Sequence, residues 1–540
     1  MNENNLVCCE TDRQELQDMD KPNIIFLMTD QQRWDCIHKF NSYIRTPSID
    51  LIAKKGITFS QATCQCPMCI PSRNSMMFGL YPSQLGVRTN AGGLFLEDKV
   101  LVPPLPEILY NHGYKTAGFG KTHWNHGVLN REPPTRGFEF RVEGQPSSSA
   151  CYESGAIMMD EVNPEGLRLY FEETKDFGEG EENAKGYVGC TSHVEERNHR
   201  DGFIAEQCIN FLNHYEEDGR PLFLYLSFIK PHAGFNVPKA FEDLYDINNI
   251  PDMPQPPWTE EPDTHLKNLR QAHPYWQKKY NDWHSTWAEL SPSERKRTTL
   301  RYWANCTWLD SYFGQILKKL NDLGKLKNSL IIYASDHGEM LGERRDTFSK
   351  YCLYDSSVRV PLILSGTYIL ENKRGVTDER PAELVDLVPT IMNAAGIERN
   401  PLLVGLDLLS DQQRLGSFAE FHGGGSEKKQ PAPAYMWRKK GWKLILYLKE
   451  ALTDGIQNTD KVKGELYNLK EDPGEWNNIY YDERCAPIRE KMKTELLMHL
   501  ACSWAKAPFF YDRDGYQKIG GKQGIEVYRH SKNASRKNHG

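Results

Sequence analysis

The chain has 540 residues, 39% hydrophobic and 26% charged, which is enough for one large core with insertions or for two or three domains. A formal charge of −7 and the lack of any basic tract before the tail argue against a nucleic-acid partner, so any anion site must be local. No run reaches the roughly 18 apolar residues that a membrane helix needs.

Residues 1–20 are polar, lack the apolar core of a signal peptide, and read as a disordered N-terminus; the chain is expected to be cytoplasmic. Asn23–Met28 is a continuous apolar run of the kind found in central parallel strands, and it ends in Asp30-Gln31. Pro47–Lys55 reads as a helix. Cys69-Ile70-Pro71-Ser72-Arg73 stands at a helix start, with Pro71 in the first turn and Cys69 beside unpaired N–H groups that favour anions. Thirteen scattered cysteines do not make a disulfide scaffold, and Cys64, Cys66 and Cys69 lack a partner cluster at zinc spacing. Pro104–His112 is a helix, and Tyr114–Gly118 a strand running into Lys121 and His123.

Residues 126–200 read as a surface insertion with weak periodicity. Asp201–Tyr215 is amphipathic, and Leu222–Ile229 is a strand ending in Lys230-Pro231-His232. A second irregular insertion covers 245–290. Ser291-Pro292-Ser293-Glu294 is a capping box opening a long helix. Ser329–Ala334 is a strand ending in Asp336-His337, Val358–Leu364 another, and Leu384–Ala395 a helix. The domain expectation is a catalytic unit over 21–411, a smaller α+β subdomain over 412–511 with a hairpin at Ala434–Leu448, and a polar tail over 512–540.

Alternating strands and helices imply a doubly wound, mostly parallel α/β sheet, whose ligands sit beyond the carboxyl ends of the strands. Four strand ends carry unusual chemistry: Asp30-Gln31, Lys121 with His123, Lys230 with His232, and Asp336-His337. One alone is commonly a cap or solvated surface. Four on one edge predict a shared site. Asp30, Gln31, Asp336 and His337 suit a hard divalent ion, Ca²⁺ first, with Mg²⁺ and Mn²⁺ as alternatives. Arg73, Lys121, His123, His232 and Lys350 would surround an oxyanion, and a metal with several cations fits transfer of a sulfuryl or phosphoryl group. Lys230 reads as a snorkelling strand-end lysine.

These residues carry a family resemblance. Cys69-Ile70-Pro71-Ser72-Arg73 resembles the Cys-x-Pro-Ser-Arg signature of the formylglycine-dependent sulfatases, and Gly120-Lys121-Thr122-His123 their Gly-Lys-x-His element. Pro231-His232, Ser335–Gly342, Leu353–Leu362 and Leu466–Leu469 with Asp472–Glu475 are similar to further family segments, so the likeness spans about 22–480. The resemblance implies the alkaline-phosphatase-like fold and a sulfuric ester hydrolase acting on a sulfated carbohydrate or other small organic sulfate. It also implies Cys69 oxidised to formylglycine by a formylglycine-generating or an anaerobic sulfatase-maturating enzyme. The hydrated aldehyde, a gem-diol at residue 69, would be the nucleophile and a metal ligand. Arg73 would orient the diol, His123 would take its second proton, His232 would protonate the leaving group, and Lys121 and Lys350 would neutralise the sulfuryl oxygens. Arg88, Asn90, Asp346 and His422 follow site-forming segments and are candidate substrate contacts. Asp-Gln in place of the common Asp-Asp, with His337 where many members have Asn, is similar to phosphonate and phosphodiester hydrolases of the same superfamily, which is the alternative reading. An unmodified, inactive sulfate- or glycan-binding homologue is the alternative of another class.

Overall fold

The computed structural model describes residues 21–90, 102–123, 135–148, 155–175, 188–272, 290–422, 433–448 and 462–504. The expectations for the N-terminus and the 512–540 tail lie outside these residues. Nine strands form the main sheet: β1 (Asn23–Thr29), β2 (Ile57–Thr63), β3 (Lys115–Gly120), β4 (Phe140–Glu143), β5 (Ile157–Met158), β7 (Leu222–Ser227), β9 (Ser329–Ser335), β10 (Leu362–Ser365) and β11 (Thr377–Glu383). β6 (Thr191–Ser192) and β8 (Val237–Pro238) make a two-stranded ribbon. The spatial order is β11-β2-β10-β9-β1-β7-β3-β4-β5, parallel except that β10 runs against both β2 and β9.

β1 lies between β9 and β7, with Thr29 opposite Ser335 and Met28 opposite Ser227. Both faces of these strands are covered, which is why their sequences are apolar without alternation. Ile24, Phe26 and Met28 enter one core with Tyr225, Ile332 and Ala334. Ile25 and Leu27 enter the other with Leu224, Ile331 and Tyr333. The helix Pro292–Asp322 packs on the second face through Trp308, Phe313 and Ile316. Its predicted capping box forms, Ser291 N donating to Glu294 Oε2 at 2.8 Å.

Two sequence expectations change. The segment 126–200 is not only a surface insertion, because β4 and β5 extend the sheet beyond β3; strands of four and two residues are too short to show a period. The strand expected over Val358–Leu364 begins only at Leu362, because Asp355–Val358 forms a helical turn. Hydrogen bonds from the Gly338 and Glu339 amides to Ser357 and Ser356 hold that turn against the site loop.

A second, antiparallel sheet of β12 (Ser417–Phe421), β13 (Ala434–Lys439), β14 (Trp442–Leu448) and β15 (Val462–Asn468) includes the expected hairpin and packs on the helix Ala486–Trp504. Among the described residues no helix is long and apolar enough to cross a membrane.

Candidate active site

The four chemistry-bearing strand ends belong to four adjacent strands, β9, β1, β7 and β3, and their side chains meet at one carboxyl edge. Asp30 follows β1, and Asp336 and His337 follow β9. The helix Cys69–Phe78 starts at Cys69 itself, with Met68 as N-cap in extended conformation, and ends at Gly79 in the left-handed region. Its first turn is tied to the β9 loop, Ser72 Oγ donating to the Asp336 carbonyl at 2.6 Å. One ligand atom each from Asp30, Cys69, Asp336 and His337 lies within 4.8 Å of the others, and all four residues are buried.

Arg73 is fully buried and organises the carboxylates. Its Nε donates to Asp336 Oδ2 at 2.7 Å and its Nη2 to Asp30 Oδ2 at 3.1 Å. Nη1 donates to the Lys121 carbonyl at 2.8 Å, to Ser227 Oγ at 2.9 Å and to Tyr225 OH at 3.3 Å. The guanidinium thus ties the Asp30 and Asp336 carboxylates together beside residue 69. A planar fork of five donors suits two acids and three neutral acceptors; an ammonium would not reach them all. Lys121 Nζ sits 2.5 Å from Asp30 Oδ2. Burial opposes ionisation of Asp30, but Lys121 and Arg73 outweigh it and hold the carboxyl well below its ordinary range.

Lys350 Nζ is 3.0 Å from Cys69 Sγ, 2.8 Å from Gln31 Oε1 and 3.0 Å from His232 Nε2. Burial and Asp30 push the Cys69 thiol up, yet Lys121, Lys350 and His337 together carry it below its ordinary value. His337 Nδ1 lies 3.0 Å from the Gly338 carbonyl, which can only accept, so Nδ1 carries a proton, while Nε2 faces Cys69 Sγ at 3.2 Å; burial opposes a charged ring, but Asp336 and Cys69 raise its pKa above the ordinary value. Burial, then Lys350, depress His232 well below its usual range, so it is a neutral imidazole accepting from the ammonium. Burial, with Lys121 and Arg73, does the same to His123. Gln31 and His123, both at the site, have φ of 67° and 52°, a left-handed conformation costly for side chains with a Cβ. At Gln31 it lets the backbone N–H reach Asp336 Oδ1 at 2.9 Å.

The donor set fits a divalent cation: two carboxylates and an imidazole with Nε2 turned inward, and the Gln31 amide oxygen shares the Lys350 ammonium with Cys69. Three fixed cations (Arg73, Lys121 and Lys350) face the two carboxylates Asp30 and Asp336, so the cavity favours an anion.

The substrate candidates are placed differently. Asn90 Oδ1 accepts from the Ile70 amide at 3.2 Å, serving one of the unpaired N–H groups at the start of the Cys69–Phe78 helix. His422 is held by Glu420 Oε2 at 2.7 Å and lies against the Tyr435 ring. Arg88 is half-buried. The Asp346 side chain lies outside the described residues. Lys230 is buried and donates to the Gly234 carbonyl, in keeping with a structural lysine. Sequence reasoning missed Ser72, Tyr225, Ser227 and Glu339. Hydroxyls in the otherwise apolar β7 and the acid ending the Asp336–Glu339 run were the available signals.

A mostly parallel, helix-covered sheet with acids, imidazole and cations gathered at one edge has the alkaline-phosphatase-like fold. Residues 22–397 match the family described as Sulfatase, and residues 342–501 match the C-terminal region of N-sulphoglucosamine sulphohydrolase. An arylsulfatase of Clostridium perfringens is 25% identical over 504 residues, covering 88% of this chain and 94% of its own. Arylsulfatase K of Homo sapiens is 26% identical over 499 residues, with 85% and 78% covered. Among solved structures, a phosphonate monoester hydrolase of Agrobacterium radiobacter superposes with a TM-score of 0.67 at 18% identity, over 89% of this chain and 96% of that one. A protein solved with its substrate D-glucosamine-2-N,6-O-disulfate superposes with a TM-score of 0.66 at 21% identity, over 91% and 99%. The chain belongs to the sulfatase family and is a sulfuric ester hydrolase.

Proposed function

We propose that this chain hydrolyses a sulfate monoester of a carbohydrate or another small organic sulfate, with residue 69 as nucleophile after oxidation of Cys69 to formylglycine by a maturation enzyme. The observation that carries the reading is the position of Cys69. It opens a helix inside the Asp30–Asp336–His337 cluster, 3.0 Å from the Lys350 ammonium. Arylsulfatase relatives and the structural likeness to a protein holding a sulfated glucosamine support the substrate class.

Asp30, Gln31, Asp336 and His337 would hold one divalent ion, Ca²⁺ first, which supplies Lewis-acid polarisation when bound. The oxidised residue supplies two hydroxyls on one carbon, one to attack sulfur and one to expel sulfate by C–O cleavage. Lys121 and Lys350 bind the oxyanion and spread its developing charge. The arriving anion opposes the field of Lys350 on His232, raising its proton affinity so that it can take up the proton released by the attacking hydroxyl and hand it to the leaving alkoxide. His123, neutral because burial and two cations disfavour its charge, is fit to accept the proton of the second hydroxyl. Arg73 keeps the carboxylates in place throughout.

The Asp-Gln/Asp-His set favours phosphonate or phosphate diester hydrolysis as a second reading. Full-length protein co-expressed with a maturation enzyme tests both. Mass spectrometry of the peptide containing residue 69 is expected to show an aldehyde, and aryl sulfate is expected to turn over faster than an aryl phosphonate monoester. Full activity with an unmodified thiol would sink the mechanism; faster phosphonate turnover would reverse the ranking, and a residue 69 that stays a thiol despite the maturation enzyme, with turnover of neither ester, would favour the unmodified, inactive homologue.

A further inference from the structure

Gln31 is the uncommon ligand candidate, because its amide has a ligating end and a repelling end. The oxygen can meet a cation and the NH₂ cannot. Two neighbours read the amide the same way round. Lys350 has only donors, and its Nζ lies 2.8 Å from Oε1. Nε2 donates to Glu339 Oε2. The same ammonium touches Cys69 Sγ at 3.0 Å, so Oε1 lies on the cluster side.

Glu339 is fully buried, and its other oxygen, Oε1, is buried with no hydrogen-bond partner among the described residues. A buried carboxyl with one unsatisfied oxygen is costly and is not what stability alone retains. Its backbone is fixed on two sides. Gly338 N and Glu339 N donate to the Ser357 and Ser356 carbonyls, both at 2.8 Å, and Arg33 Nη1 donates to the Glu339 carbonyl at 3.1 Å. A Cβ on Gly338 would meet the Ser356 oxygen at 2.0 Å, so only glycine allows this close approach.

We propose that Glu339 is a positioning residue of the metal centre: it grips the Gln31 amide by its nitrogen and so presents the amide oxygen to the cluster of Asp30, Cys69, Asp336 and His337. This rests on the metal reading above. Partners of this kind, one bond removed from the metal, set affinity by about 10–100-fold.

Calcium titration of metal-stripped full-length protein by calorimetry, with unfolding midpoints in EDTA as the folding check, tests it. Glu339→Met keeps the bulk and loses the acceptor; it should bind Ca²⁺ about 10–100-fold more weakly. Glu339→Gln keeps an acceptor and cannot ionise; it should stay within about threefold of wild type, because the hydrogen bond orients Gln31. Wild-type affinity in Glu339→Met overturns the proposal, and so does a Glu339→Gln variant as weak as Glu339→Met, which would make Glu339 a counter-charge. If Glu339→Met does not fold, Gln31→Glu alone sets two carboxyls face to face. Adding Glu339→Gln reverses donor and acceptor, and should tighten binding about tenfold over the single variant; equal affinities overturn the proposal. A wild-type protein that binds neither Ca²⁺ nor Mn²⁺ sinks the metal reading and this proposal with it, whereas wild-type binding with an indifferent Glu339 sinks this proposal alone.

Discussion

Replacing Arg73 by methionine keeps most of the length of the side chain and removes every donor of its guanidinium. Asp30 is partly protected, since Lys121 Nζ stays 2.5 Å from its Oδ2. Asp336 is not. Its Oδ1 keeps the amides of Gln31 and His337 at 2.9 and 3.0 Å, while Oδ2 loses its 2.7 Å partner in a fully buried place. Removing one member of a buried pair costs about 3–5 kcal/mol, mostly the stranded charge. That identifies the compensating change. In Asp336→Asn the amide oxygen can still accept both backbone N–H groups, and the NH₂ replaces the stranded oxygen. The double variant should therefore be less destabilised than the sum of the singles, with a coupling of about 2 kcal/mol or more. Urea unfolding of the full chain in EDTA, followed by tryptophan fluorescence, measures all four corners of the cycle. Additivity within about 0.5 kcal/mol would refute the argument, because it would mean that Arg73 acts by packing and not as the internal counter-ion of the carboxylates.

Lys350→Met removes the ammonium that touches Gln31, Cys69 and His232. We expect kcat/KM for the sulfate ester to fall about 10²–10³-fold. Burial and then Lys350 depress His232, so its pKa should rise in this variant, and a proton NMR titration that finds it unmoved contradicts the assigned contact. Glu465, buried, accepts from His265 N and Nδ1 at 2.6 and 2.7 Å and from the Tyr354 and Tyr467 hydroxyls at 3.0 and 2.7 Å. Burial pushes its carboxyl up, but the contact with His265 and the hydrogen bonds overcome this and hold it at about 2, below its ordinary 4.5. A folded value below the unfolded one stabilises above the unfolded value and is lost as pH falls through the folded one. The contribution is about 3 kcal/mol at pH 7 and about half that near pH 3. Glu465→Gln should lose this increment at pH 7 and differ less from wild type in acid; a gap that is constant with pH is the contrary result.

The strand ends were legible because chemistry interrupts apolar runs there. Asp30, His232 and Asp336 each follow a stretch too hydrophobic to be anything but a buried strand, and Lys121 follows the less apolar Lys115–Gly120. Their convergence could be anticipated from the parallel topology, and their order across β9, β1, β7 and β3 could not. The helix start at Cys69 was legible from Pro71. The direction of Arg73 was not, since its five acceptors come from four separated segments. β4 and β5 escaped notice for want of length. Glu339 was passed over because a carboxylate beside Asp336 and His337 reads equally well as loop polarity until its partner, Gln31 in the segment after β1, is seen beside it.

The segments around Leu353–Leu362 and Leu466–Glu475 resemble family motifs, yet their polar groups bind one another. Asp355 takes Arg438 Nε and Nη2 at 2.9 Å each and Lys443 Nζ at 2.6 Å, and Lys443 also reaches Glu475 Oε1 at 2.6 Å. The Leu353 amide donates to His265 Nε2 at 3.0 Å, its carbonyl accepts from Lys443 at 3.0 Å, and the Tyr354 hydroxyl meets Glu465 on β15. All these grips fall three to five residues after Lys350. Lys350 itself is flanked by Ser349 and Tyr351 at φ of 71° and 81°, a conformation that costs about 1–3 kcal/mol at each non-glycine position and persists only where the surroundings over-determine it. The antiparallel C-terminal sheet supplies that over-determination. It acts on the chemistry without lining the ligand cluster, by clamping the chain on which the Lys350 ammonium is carried to residue 69.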